Sequence, residues 1–281
     1  MSDDPSLTEV VLDLRAGALA LGDRTLWSGL DLQIRSGEFV AVLGANGSGK
    51  TSLLKAILGL QPLTSGVLTI AGRQPQRGSE LIGYIPQERR LAPPTPLRVR
   101  DLVRLGIDGQ RWGFGWPNRG RGERVEEILR SVGASHLADV PVHLLSGGEQ
   151  QRVRIAQSLA TDPKLLLCDE PLLSLDLSHQ RAVVTLIDQR RRSRGTAVLF
   201  VTHEINPVLP YVDRVLYLAE GRFRIGTVDE VMTSRSLSAL YGTEIEVLRS
   251  GSRIIVAGIP DVPEHEHEHE QATTNGLELP L

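Results

Sequence analysis

Gly44-Ala45-Asn46-Gly47-Ser48-Gly49-Lys50-Thr51 fits the pattern G-x-x-x-x-G-K-[ST], a spacing that lets a loop wrap backbone N–H groups around nucleotide phosphates. The glycines allow the backbone to curl into an anion nest, and the helix that begins at the loop adds its partial positive charge. Lys50 then reaches the β and γ phosphates, Thr51 offers a hydroxyl to Mg²⁺, and Ser52 follows in the first helical turn. The flanks suit the role. Phe39 to Leu43 reads as a buried strand entering the loop, and Ser52 to Leu58 reads as a helix leaving it.

A second anion-binding design lies further on. In Leu145-Ser146-Gly147-Gly148-Glu149-Gln150-Gln151-Arg152, a serine and two glycines open a helix whose Val153, Ala156, Leu159 and Ala160 share one side. The Ser146 hydroxyl and the neighbouring N–H groups are expected to aim outward. The apolar run ending in Cys168-Asp169-Glu170-Pro171 puts two acids at a strand end, where burial is unfavourable without a cation or hydrogen bonds. Asp169 is therefore read as holding Mg²⁺ through water, and Glu170 as polarising the attacking water. A second apolar run, Thr196 to Thr202, delivers His203, and the strand Leu81 to Ile85 is closed by Pro86 and leaves Gln87 at its mouth. Ligands collect at the carboxyl ends of strands in open parallel sheets, so these residues point to one edge.

The elements that must position these groups follow from pattern. Val10 to Leu14 and Leu30 to Ile34 alternate apolar and polar residues, as half-buried antiparallel strands do, and predict a small β-subdomain. The runs Pro163 to Cys168 and Thr196 to Thr202 do not alternate, which suits parallel strands covered on both faces. Val125, Ile128, Leu129 and Val132 mark one face of an amphipathic helix in a helical subdomain. The helix from Ser178 ends in Arg190-Arg191-Arg192-Ser193-Arg194-Gly195, and cations in a last turn before a glycine cap read as structure. Arg214 to Leu218 and Arg222 to Gly226 flank Glu220-Gly221 as a hairpin, with short helices and a last small hairpin, Glu244 to Leu248 with Arg253 to Ala257, behind it.

Composition narrows the class. The 281 residues carry a net charge of -3, which gives no global attraction to nucleic acid. The Arg, Gly and aromatic stretch Arg111 to Arg121 is read as an exposed loop. Cys168, the one cysteine, sits in an apolar run as a small buried hydrophobe, and no disulfide framework exists. The acidic start Met1 to Pro5 lacks the regions of a signal peptide, and no apolar run nears the roughly 20 residues that cross a bilayer. Any membrane span is expected from another chain.

Taken together, these residues resemble the ATP-binding subunit of ABC transporters, from about Val10 to about Gly258. The resemblance casts Gly44 to Thr51 as Walker A, Gln87 as the Q-loop glutamine, Leu145 to Gln150 as the signature, Asp169-Glu170 as Walker B, Ser174-Leu175-Asp176 as the D-loop and His203 as the switch histidine. It implies an α/β fold, a P-loop NTPase of ABC type, with a mixed, mostly parallel sheet, an antiparallel β-subdomain and a helical subdomain at about 95–150 inside an ATP-binding domain at 9–259. Residues 1–8 and 260–281 are read as tails. It further implies a head-to-tail homodimer holding ATP and Mg²⁺ between Walker A of one subunit and Ser146, Gly147, Gly148 and the D-loop Asp176 of the other. Glu170 becomes the general base, His203 contacts the γ-phosphate, and Gln87 binds Mg²⁺ and senses an integral membrane permease at the cytoplasmic face, served indirectly by an external metal-binding protein.

The chain departs from the family at two places: Leu21 stands where an aromatic stacks on adenine, and Ala45 where proline is common. Within the family, Ile82 to Gln87 and Val201 to Pro207 are similar to subunits serving zinc or manganese importers. Siderophore and haem importers, and a soluble ATPase of iron–sulfur assembly, are the alternatives. DNA-repair members are excluded by the absence of sustained heptads between Thr51 and Ser146. Beyond Pro260, His265, His267 and His269 alternate with glutamates, a pattern whose ligands suit zinc and other transition metals.

Overall fold

The computed structural model describes residues 9–87, 97–108, 119–173 and 175–258. Residues 1–8, the Arg111 to Asn118 part of the aromatic loop, Ser174 and the histidines His265, His267 and His269 lie outside them. Strand β1 (Val10–Leu21) turns at Gly22 into β2 (Arg24–Arg35), and both run past the short alternating stretches that mark them in the sequence. Then come β3 (Phe39–Gly44), α1 (Lys50–Ile57), β4 (Ser65–Ile70) and β5 (Ile82–Ile85). The helical region holds α2 (Val99–Asp108), α3 (Arg119–Ser131) and α4 (Gly147–Ser158). It is followed by β6 (Leu165–Asp169), α5 (Leu177–Arg194), β7 (Ala197–Val201), β8 (Arg214–Ala219) and β9 (Arg222–Gly226). Two short helices, α6 (Val228–Val231) and α7 (Ser234–Tyr241), and the hairpin β10 (Glu246–Ser250) with β11 (Arg253–Ala257) complete the described chain.

The larger sheet has the order β5-β6-β7-β3-β8-β9, parallel except for the β8–β9 hairpin, and a separate antiparallel sheet has the order β2-β1-β4. Successive side chains of a strand point to opposite faces, so an unbroken apolar run serves two cores. Leu165 and Leu167 of β6 pack with Leu12, Leu14 and Leu53, against the antiparallel sheet and α1. Leu166 and Cys168 of the same strand pack with Val153, Ile155 and Val183, against α4 and α5. The stacked rings of Phe39 and Phe200, with centroids 5.5 Å apart, join β3 to β7 on that helical side. Each leucine buried this way contributes roughly 1.5–3 kcal/mol. The α3 face expected from periodicity is buried in the same cluster through Val125, Ile128, Leu129 and Val132.

The arginines at the end of α5 do structural work. Gly195 caps the helix at φ 64°, Arg191 bonds Asp188, Asp213 and the Gly37 carbonyl, and Arg192 reaches Asp188 as well. Arg190 pairs with Asp162, and Arg194 with Glu127.

Candidate functional site

Four neighbouring parallel strands, β5, β6, β7 and β3, end on one edge of the sheet, and each delivers a chemically capable group there. Gln87 follows β5, Asp169 and Glu170 end β6, His203 follows β7, and the glycine loop leaves β3. Sequence separations of more than a hundred residues thus collapse into one row because parallel strands share a direction.

The loop has the shape of an anion cradle. Gly44, Gly47 and Gly49 have φ of 142°, 72° and 98°, conformations that side chains resist. A Cβ on Gly44 would lie 2.1 Å from the Leu218 carbonyl oxygen, and one on Gly49 would lie 2.9 Å from Trp27 Nε1. Ser48 Oγ and Trp27 Nε1 are buried beside the loop without a hydrogen-bond partner. The Lys50 ammonium turns back on the loop, donating to the carbonyls of Gly44 at 2.6 Å and Ala45 at 2.9 Å. Burial pushes its pKa down, opposed by the charges of Glu170 and Asp169. A desolvated cation, an orphaned hydroxyl and a glycine-lined hollow fit a polyphosphate. Thr51, exposed, and Ser52 stand in the first turn of α1.

At the end of β6 Asp169 is 4% exposed. Burial raises its carboxyl above the usual range, helped by Glu170 and opposed by the hydrogen bond from Tyr84 Oη at 3.2 Å and by Lys50. The Glu170 side chain is 14% exposed and its carboxylate is bracketed: His203 Nε2 lies 2.6 Å from Oε1, and Gln87 Nε2 donates to Oε2 at 3.2 Å. Glu170 has φ 49°, a left-handed conformation that costs a non-glycine residue about 1–3 kcal/mol. The sequence-read trio of Gln87, Glu170 and His203 is thereby brought into direct contact.

The second predicted anion site opens α4. Ser146 is the N-cap, and its hydroxyl and backbone N–H both donate to Glu149 Oε2, at 2.7 and 2.8 Å. These bonds hold the Glu149 carboxyl below its usual range. The hydroxyl expected to aim outward is therefore engaged in a capping box, because Glu149 stands at the one position that can reach back to it. Gly147 and Gly148 fill the first turn, whose N–H groups have no carbonyl four residues back within the helix. Asp176 caps α5, accepting from the Ser178 and His179 amides. Bonds from Ser178 and His179 keep its carboxyl well below the ordinary range.

Sequence reasoning overlooked Trp27, Tyr84 and His179. Tyr84 lies inside the apolar run Leu81 to Ile85, Trp27 precedes the alternating stretch Leu30 to Ile34, and His179 sits in the first turn of a helix, so none carries a local signal of its own. Leu21, at the β1–β2 turn, is 53% exposed. Among the described residues no cluster of three metal-ligating side chains occurs, and no helix is long and apolar enough to cross a membrane.

Comparison with known proteins gives a consistent result. The pattern of the family described as ABC transporter matches residues 27–173. Over 223 residues the chain is 35% identical to the zinc transport system ATP-binding protein TroB of Treponema pallidum (strain Nichols), covering 78% of this chain and 82% of that protein. It is 32% identical to the zinc import ATP-binding protein ZnuC of Magnetococcus marinus, covering 86% of this chain and 87% of that protein. A solved chain of an ABC transporter in an inward-facing conformation matches with a TM-score of 0.75 at 27% identity, over 88% of this chain and 96% of that one.

Proposed function

Because this chain belongs to the ABC transporter family, we propose that it is the ATP-hydrolysing subunit that powers an importer of a divalent metal ion, zinc or manganese. The observation that carries the ATPase reading is the row of strand ends, with the glycine cradle beside a buried Asp169 and a Glu170 gripped by His203 and Gln87. The metal reading is supported by the relatives named for zinc transport. A membrane permease is the partner such a subunit requires.

ATP binds with its phosphates in the loop 44–51, where the Lys50 ammonium exchanges the carbonyls of Gly44 and Ala45 for phosphate oxygens. Thr51, Asp169 and Gln87 would hold Mg²⁺, which when bound neutralises phosphate charge. Glu170 orients the attacking water and accepts its proton. His203, held against Glu170, fixes that carboxylate and contacts the γ-phosphate. Ser146, Gly147, Gly148 and Asp176 complete the site of a second subunit in a head-to-tail homodimer, and the Ser146 hydroxyl turns its one proton from Glu149 to a phosphate oxygen when the nucleotide arrives. We place the subunit peripherally at the cytoplasmic face, with residues 9–259 as the ATP-binding domain and an external metal-binding protein as an indirect partner.

The full-length chain reconstituted with its permease, with ATPase activity titrated against zinc, manganese and iron, tests the assignment. Stimulation by zinc or manganese is expected. Stimulation solely by chelated iron would move the reading to a siderophore or haem importer. Co-purification with a soluble scaffold in place of a permease would move it to iron–sulfur assembly. The tail histidines His265, His267 and His269 are read as a zinc-like ion site outside catalysis. Removal of residues 261–281 should abolish calorimetric zinc binding and leave basal ATPase activity unchanged, whereas equal zinc binding by both forms would discard the tail site.

A further inference from the structure

We propose that His179 is a positioning residue that locks the start of α4 to the start of α5, so that Gly148 of the signature and Asp176 keep one fixed spacing. The inference rests on the reading of these motifs as one half of a nucleotide site. Asp176 accepts from the Ser178 and His179 amides, both at 2.9 Å, through Oδ1, and His179 Nδ1 lies 2.7 Å from Oδ2. The carboxylate sets Nδ1 as the donor and holds the ring in one orientation. The opposite edge of that ring covers Gly148: a Cβ there would fall 2.2 Å from His179 Cδ2 and 2.7 Å from Nε2.

Gly148 is an ordinary helical residue with negative φ, so backbone conformation does not demand glycine there. The ring does. Gly147 beside it shows the contrast, since a Cβ at that position would meet nothing within 4 Å. A further tie runs from α4 to the turn after Glu170, the buried Gln151 Nε2 donating to the Pro171 carbonyl at 3.0 Å. The side chains of His179 and Asp176 are 45% and 64% exposed, and an ion pair so open to water adds little to stability. Its effect is on placement. Two elements that must approach one nucleotide together are held in register by an imidazole whose two edges touch both.

A double-mutant cycle on the full-length chain tests this. His179→Ala should lower kcat by about tenfold to a hundredfold, the scale of an ångström-sized misplacement, and leave KM unchanged. Gly148→Ala should cost a similar factor when His179 is present and almost nothing further when it is absent, because the clash has gone. His179→Asn keeps a donor for Asp176 without the ring and should repeat the cycle, which covers the case that the alanine variant folds poorly. The same cycle read by thermal melting should show Gly148→Ala lowering Tm only beside His179. Additive losses in both readouts would overturn the inference. A wild-type chain without ATPase activity would bring down the nucleotide reading, and the melting cycle would still decide the contact.

Discussion

Glu170 and Asp169 are adjacent carboxylates with different fates, decided by what each side chain meets. Glu170 points to groups on both sides, His203 and Gln87, and is the proposed base. Glu170→Gln should leave nucleotide affinity intact, since the cradle is untouched, and lower turnover by about 10²–10⁴, the usual loss for a general base. The variant should also accumulate as an ATP-bound dimer, and normal steady-state hydrolysis would show that another group is the base. Asp169 is buried, which lifts its carboxyl above the usual range. A raised carboxyl stabilises the fold below the unfolded-state value of about 3.9 and loses that contribution as pH rises through the folded value. Asp169→Asn should therefore melt higher than wild type at neutral pH, keep the bond from Tyr84, and lose Mg²⁺-dependent hydrolysis. The gap in Tm should close as pH falls toward 4, where the unfolded carboxyl protonates. A lower Tm for the variant at neutral pH would contradict this account.

Among the elements, the β1–β2 hairpin and α4 show how local structure sets what a site can reach. The turn at Gly22 leaves Leu21 exposed beside Arg24, whose guanidinium donates to the Gly47 carbonyl at 3.4 Å, so the hairpin tip stands next to the phosphate loop. With ATP bound as proposed, an aromatic at that tip would meet the base, and base–aromatic stacking contributes about 1–3 kcal/mol. Leu21→Tyr should tighten ATP binding by roughly tenfold, at the lower part of that range, without loss of stability because the position is open to water. Unchanged affinity in a fluorescent-nucleotide titration would place the base elsewhere. The α4 terminus carries an opposite lesson: its capping box stabilises the helix and occupies the Ser146 hydroxyl that is proposed to meet a nucleotide.

At the scale of the whole molecule, the two glycine-lined helix starts read as anion sites lie on different elements, the loop before α1 and the first turn of α4. In the proposed head-to-tail pair each would be half of a composite site. Lys50→Ala removes the cation from one half, and Gly148→Asp puts a side chain and a negative charge into the other. Neither variant should hydrolyse ATP as a homodimer. A mixed dimer has one site with both halves intact and should recover ATPase activity, up to about half of wild type if sites act independently. Absence of recovery in mixtures shown by crosslinking to contain heterodimers would argue against the composite arrangement.

The glycine loop, the acid pair, the histidine and the strand-to-loop order were legible in the chain because each depends on residue type and local spacing. The strands β6 and β7 were legible as doubly covered because an unbroken apolar run has no other stable home. Three things were decided by tertiary structure. Parallel pairing of β5, β6, β7 and β3 put Gln87, Glu170 and His203 in contact across 116 positions of sequence, from 87 to 203. Close approach turned Trp27, Tyr84 and His179 from apparent packing or surface residues into supports of Gly49, Asp169 and Gly148. The Ser146 hydroxyl was turned from solvent to Glu149. Local pattern reports what a residue can do, while its partner depends on the direction of neighbouring strands and the space between side chains, which no window of the sequence contains.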